Sequence, residues 1–260
     1  MPVVEEDPEA RSRYYKELLP QLFMEAFLEL DLKPFDVLVL DEAQDLMTGN
    51  YLDAMDLILS GGLKDGRWYF FMDADRQNIY QSGTNEKDVF DLLRGFGASF
   101  TKQRLRDNCR NSVAIIEKID SIFGIQTRHK PHEQRGEEVK IRSYRNTRDQ
   151  AKTLQNVLEE IRADLVEPSQ IVILSPRRFD KSIASQLEGI PITIDPVNRN
   201  NEILFSTIQA FKGLESPVVI LTDLWDLSDE LKRDILYVGM TRAKGALYLL
   251  AKENVAKELW

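Results

Sequence analysis

The chain is short of several things, and each shortage removes a class of function. It has a single cysteine, Cys109, which excludes an internal disulfide and a thiolate zinc site and agrees with a reducing compartment. Its two histidines, His129 and His132, stand three apart with no third ligand near them in sequence, so they do not by themselves make a metal site. No apolar run approaches the ~18 residues of a membrane-spanning helix, and the start MPVVEEDPEARSRYY lacks the basic-then-apolar order of a signal peptide. A cytoplasmic location is therefore expected. A surplus of positive charge is also missing: the formal net charge is −9, which argues against a generally basic nucleic-acid binder.

What is present is an ordinary globular composition, 43% hydrophobic and 30% charged, in a length that can bury a large core and points to two domains. The charge is uneven. Residues 1–100 carry 9 Lys and Arg against 20 Asp and Glu, or −11, whereas residues 101–260 carry 25 against 23, or +2. A polyanion would have to lie in a local groove of the second part, where Arg104, Arg106 and Arg110, then Arg128, Lys130 and Arg135, then Arg177, Arg178 and Lys181 are the basic groups.

Val37 to Leu40 are four consecutive apolar residues that break off into Asp41-Glu42-Ala43-Gln44-Asp45. This reads as a strand buried on both faces whose carboxyl end opens into a site. Neighbouring strand side chains point to opposite faces, so Asp41 can hold a metal while Glu42 faces a reacting group. Phosphoryl transfer needs such a pair, an aspartate for Mg²⁺ and a second carboxylate to orient and deprotonate water. Upstream, Leu18, Leu22, Phe23, Ala26, Phe27 and Leu30 recur at helical spacing, with Pro20 expected to break or restart that helix. Downstream, Tyr51 to Leu59 predict a helix ended by Gly61-Gly62, and Arg67 to Met72 predict a second strand, parallel to the first.

The alternation continues to the end of the chain. A helix is expected through Val113 to Ile122, a loop over Gly124 to Glu138, a strand over Val139 to Tyr144, and a helix from Ala151 to Leu165 opened by a capping box of Thr147 and Gln150. Strands follow at Ile171 to Leu174, Ile190 to Ile194, Ile203 to Ile208 and Val218 to Leu221. A helix capped by Ser228 and a closing strand, Ala246 to Ala251, complete an α/β pattern.

The stretch Val37 to Asp45 resembles motif II, the Walker B segment, of the UvrD/Rep-like helicases of superfamily 1, and later stretches fall in that family's order. Asp73 to Tyr80 is similar to motif III, with Gln77 and Tyr80 matching. There Met72 replaces a glycine, Arg76 is inserted, and Gln81-Ser82-Gly83 stands where an aromatic on which a base stacks is frequent. Leu105 to Ser112 is similar to motif IV, with Arg110 in place of its phosphate-contacting arginine. Thr207 to Glu215 resembles motif V, although Gln209 replaces the usual histidine, and Tyr237 to Ala243 resembles motif VI.

The resemblance implies two RecA-like parallel-sheet α/β units of the P-loop NTPase type. Residues 1–102 would form an incomplete first unit with motifs II and III, and residues 103–260 a UvrD-like helicase C-terminal domain with motifs IV, V and VI. It further implies ATP-driven movement on single-stranded DNA, with ATP and Mg²⁺ as cofactors. Asp41 would be the Mg²⁺ ligand and Glu42 the water-activating base. Gln77, Arg110 and Arg242 would reach the γ-phosphate, Arg242 as an arginine finger. Gly213 and Glu215 would approach the nucleotide, and Tyr80 and Thr207 the DNA. Other DNA-repair or defence proteins are further candidate partners, and no membrane is implied.

One part of that machinery is absent from these 260 residues, which contain no G-x-x-x-x-G-K-S/T, the loop whose amides and lysine cradle phosphates. Two expectations follow. The chain is the carboxyl part of a longer helicase, or a degenerate relative that binds DNA or a protein without ATPase activity. In the first case Val37 to Leu40 lack their usual neighbour, and an exposed apolar sheet edge is expected.

Overall fold

A computed structural model describes residues 7–72, 86–105, 107–129, 136–199 and 201–260. The expected motif III, with Gln77 and Tyr80, lies outside the described residues. The chain separates into two compact units, Met1–Gln103 and Arg104–Trp260.

In the first unit, α1 (Pro8–Arg13) passes through a π-helical turn, Tyr14–Leu18, into α2 (Leu19–Glu29). Pro20 sits in the first turn of α2; it has no N–H to give the preceding turn, whose Tyr15 and Lys16 carbonyls accept from the Tyr51 hydroxyl at 2.8 Å and the Asn50 amide at 2.9 Å, and the wide turn before it lets the helix restart without stopping. The apolar stripe of this helix is mostly open: Phe27 is buried, but Leu18, Leu22, Phe23 and Leu30 are exposed.

The strand β1 (Val37–Leu40) is followed by α3 (Gly49–Ile58), a short α4 (Gly62–Asp65) and β2 (Arg67–Phe70), which pairs with β1 in parallel. Gly61 and Gly62 both take positive φ, so they turn the chain into α4 and do not simply end the preceding helix. The expectation of a strand buried on both faces is corrected. Leu38 and Leu40 pack with Trp68 and Phe70 against a core that includes Leu52, Met55, Leu63 and Leu93, the last from α5 (Glu86–Gly95). The other face is open, with Val39 at 60% and Tyr69 at 59% exposure. Among the described residues β1 has β2 as its sheet neighbour and nothing covers the outer face, which gives the apolar exposure foreseen for an incomplete sheet.

The second unit begins with β3 (Asp107–Asn108), α6 (Val113–Phe123) and β4 (Arg128–His129), which pairs with β3 within the stretch expected to be a loop. Then come β5 (Lys140–Tyr144), α7 (Thr147–Ala163), β6 (Ile171–Ser175), β7 (Ile192–Thr193), β8 (Ile203–Thr207), β9 (Ser216–Leu224), α8 (Glu230–Met240), β10 (Ala243–Lys252) and α9 (Glu253–Leu259). Six of these strands form one parallel sheet in the order β5-β10-β9-β6-β8-β7. The α/β fold with a parallel sheet is therefore as expected.

Three local readings change. Asn146, not Thr147, caps α7, accepting from the Asp149 N–H. Asp229, not Ser228, caps α8. The last strand, β10, begins at Ala243, three residues before the expected Ala246, and lies between β5 and β9. In both helices two residues able to cap stand next to each other, and packing chooses the one whose backbone is extended. Leu154, Val157 and Ile161 of α7 form the core with Ile173, Ile220 and Leu250. The chain leaves β6 toward β8 and β7 but leaves β9 toward β10, on the opposite side. The carboxyl ends of β6 and β9 thus mark the topological switch point, where α/β sheets open a crevice.

Candidate functional site

In the first unit the polar residues begin where β1 ends. Glu42 takes a left-handed backbone, φ 51°, and leads into a tight turn, Ala43–Leu46. The Asp41 carboxylate accepts from the Glu42 N–H at 3.0 Å, and Glu42 accepts from the Gln44 side chain at 2.5 Å. Gln44 is buried and Asp41 exposed, so the amide anchors one carboxylate while the other faces solvent. Among the described residues no three candidate metal ligands gather. A cation at Asp41 would have to rely on water and phosphate oxygens, which is the coordination that Mg²⁺ prefers.

In the second unit, residues far apart in sequence meet at the amino-terminal edge of the sheet. Glu215 precedes β9 and is held by Lys244 of β10 at 2.8 Å and by Arg110 at 3.2 Å. The Lys244 ammonium holds the Glu215 carboxyl below its usual range, and Arg110 and Arg242 add to the effect. The folded value lies below the unfolded one, so this tie is fully present above the ordinary carboxylate range and is lost as pH falls through the folded value.

Arg242 lies beside this group but is fully buried at 0% exposure. It donates from Nε to the Val238 carbonyl at 3.0 Å, from Nη1 to the Leu214 carbonyl at 3.3 Å, and from Nη2 to the Thr241 hydroxyl at 2.9 Å. It thereby closes the carboxyl end of α8, where a cation is favoured, and ties it to the loop that carries Gly213 and Glu215. Gly213 takes φ +81° in that loop, with open space where a Cβ would stand, so backbone conformation and not crowding requires glycine there.

Sequence reasoning missed Asn111 and Lys244. The buried Asn111 amide donates to the carbonyls of Thr241 and Ala243, at 3.0 and 2.6 Å, and so brackets Arg242. Its place next to Arg110 was a usable signal.

The carboxyl-terminal edge carries a different cluster. Thr207 ends β8, level with Ser175 of β6, and its hydroxyl accepts from the Ala210 N–H at 3.1 Å. Asp223, near the end of β9, is 4% exposed with φ 60°. It accepts from the hydroxyls of Ser175 and Ser182, both at 2.6 Å, from the Gln150 amide at 2.8 Å and from the Ile183 N–H at 3.3 Å. Tyr144 at the end of β5 is buried, and its hydroxyl has no hydrogen-bond partner among the described residues. Burial pushes that phenol upward, and the Asp223 charge adds to the shift. A rise of about 3.3 Å per residue puts the two ends of the nine-residue β9 roughly 25–30 Å apart.

Residues 202–250 match the UvrD-like helicase C-terminal domain family. This stretch of the second unit is similar to a UvrD-like helicase C-terminal domain. This UvrD-like segment runs from β8 into β10, so it contains Thr207, Gly213, Glu215, Arg242, Lys244 and Asp223. Over 204 residues the chain is 28% identical to the ATP-dependent DNA helicase srs2 of Schizosaccharomyces pombe, an alignment covering 72% of this chain and 21% of that protein. The chain thus spans about a fifth of that relative's length. The crystal structure of the C-terminal domain of a possible DNA helicase from Lactobacillus plantarum WCFS1 is 18% identical, covers 56% of this chain and 88% of that one, and superposes with a TM-score of 0.42. Among the described residues no helix is long and apolar enough to cross a membrane.

Proposed function

We propose that this chain is part of an ATP-dependent DNA helicase or translocase of the UvrD/Rep type, in which ATP hydrolysis drives movement on single-stranded DNA. The observation that carries this reading is the meeting of Arg110, Glu215 and Lys244 at one edge of the second sheet, beside Arg242. Arg110, Glu215 and Arg242 come from three separate sequence motifs, and Lys244 directly follows the third. Residues 208–215 connect that edge to Thr207 at the opposite edge, so one short segment joins the nucleotide-facing residues to the DNA-facing one.

Asp41 would hold Mg²⁺, which neutralises phosphate charge. Glu42, kept in place by Gln44, would orient a water molecule and take its proton. Arg110 is paired with Glu215 in this structure and is exposed, so it can exchange a carboxylate for a phosphate oxygen with little desolvation. Arg242 must first leave its hydrogen bonds to Val238, Leu214 and Thr241. That makes its release a conformational step. Gln77 would sense the γ-phosphate and Tyr80 would approach DNA, by resemblance alone.

These 260 residues carry the metal and base residues but no phosphate-cradling loop. Purified chain is therefore expected to show no appreciable ATP turnover with or without DNA. It is expected to bind single-stranded DNA weakly, with a shallow fall of log affinity against log salt because few phosphates are contacted. Colorimetric phosphate release and fluorescence anisotropy check both. Affinity that stays constant from low to physiological salt would count against a DNA-binding role, and family-like turnover would count against the need for a separate cradle.

A further inference from the structure

We infer that Trp225 is the surface on which this chain stacks a base of single-stranded DNA. The inference rests on the DNA reading above and adds a residue that no motif match assigns. Trp225 follows β9 directly, at the switch point of the sheet, and is half-buried. It borders a cleft of about 250 Å³ that is also lined by Gln150, Arg177, Lys181, Gln186 and Asp223. Small-molecule sites usually enclose about 300–1,000 Å³, so this cleft suits a single base and not a whole nucleoside triphosphate.

The chemistry of the walls fits a base with its phosphate outside. The Arg177 guanidinium lies 3.7 Å from the centre of the Trp225 ring, so the ring face is already used as a stacking platform. The guanidinium also makes an exposed hydrogen bond to the Lys181 carbonyl, at 3.2 Å, which water can replace. Stacking of a base on an aromatic ring is stronger than an exposed cation–π contact. A base therefore takes the ring face, and Arg177 swings to the adjoining phosphate, where its planar fork matches two oxygens. Lys181, which lines the cleft, and the exposed Arg178, next to Arg177 in sequence, supply further positive charge. The buried Tyr144 hydroxyl, without a hydrogen-bond partner among the described residues, lies near enough to Asp223 and Arg177 to feel both. It adds an unsatisfied polar group beside the cleft. Thr207 lies on the same edge of the sheet, beside Ser175, which extends the path.

The test compares two fluorescent oligomers of about 12 units, oligo-dT and an abasic strand with the same number of phosphates, each binding the full chain at low salt. The wild type is expected to prefer oligo-dT by about 10-fold. Trp225→Ala should abolish that preference and leave abasic binding unchanged, Trp225→Phe should keep most of it, and Arg178→Ala should weaken both strands alike.

Because a truncated tryptophan can disturb folding, a second measurement uses Trp68→Phe/Trp260→Phe, which leaves Trp225 as the sole indole. Saturating oligo-dT should quench its emission and the abasic strand should not. Base preference retained by Trp225→Ala, or unquenched emission at saturation, overturns the inference while leaving the DNA reading intact. Binding of neither strand by wild type overturns both.

Discussion

Replacing Asp223 by alanine is expected to cost the second unit about 3–5 kcal/mol of unfolding free energy. Four donors converge on this one buried carboxylate: the hydroxyls of Ser175 and Ser182, the Gln150 amide and the Ile183 N–H. Alanine leaves all of them in the interior without that acceptor, and each orphaned group costs about 1–3 kcal/mol, less than additively because they share one site. The left-handed backbone at φ 60° adds strain that aspartate and asparagine tolerate better than alanine. Asp223→Asn keeps the backbone preference and one acceptor, so it should lose roughly half as much. Urea denaturation followed by far-ultraviolet circular dichroism gives both values. A loss below about 1 kcal/mol for Asp223→Ala would mean that the network is not structural.

Arg242→Ala is expected to act twice. Its guanidinium makes three hydrogen bonds while fully buried. Hydrogen bonds of a charged donor contribute about 1.5–3 kcal/mol each and overlap here, so a destabilisation of about 3 kcal/mol should appear in the chain as it stands. In a polypeptide that joins this chain to a phosphate-cradling loop, ATP turnover should also fall by about 10³-fold or more at temperatures where the variant remains folded, because a finger acts on charge that develops in the transition state. Arg242→Lys separates the two effects. It keeps the charge and part of the hydrogen bonding but loses the planar fork, so stability should recover more than turnover. Normal turnover in folded Arg242→Ala would leave the residue with a structural role only.

The alternation of helices and strands and the parallel pairing of β1 with β2 were legible in the sequence because each rests on local periodicity. The burial of β1 was misjudged for a physical reason. Four apolar residues look alike whether one face or two faces are covered, and here Val39 and Tyr69 are exposed among the described residues. The interior position of β10 is set by strand order, to which local pattern is blind. Arg110, Glu215 and Arg242 were singled out by motif, but the state of Arg242 was not readable, since its acceptors include the carbonyls of Leu214 and Val238 and backbone groups leave no trace in composition. The Asp223 network escaped for a related reason. Its donors come from positions 40–73 residues away, and an aspartate late in an apolar strand reads as the start of a loop. Trp225 and Lys244 fell just past the ends of recognisable stretches.

The central claim is that Asp41 and Glu42 divide the work of metal binding and water activation at the end of β1. The most direct measurement is ATP binding and single-turnover hydrolysis in a polypeptide that joins this chain to a phosphate-cradling loop, comparing Glu42→Gln with Asp41→Ala. Glu42→Gln should bind ATP nearly as well as wild type yet hydrolyse it at least about 10³-fold more slowly, because an amide cannot take the proton of water. Asp41→Ala should instead weaken Mg²⁺-dependent ATP binding itself. Equal loss of nucleotide affinity in the two variants, or normal hydrolysis by Glu42→Gln, would contradict the assignment.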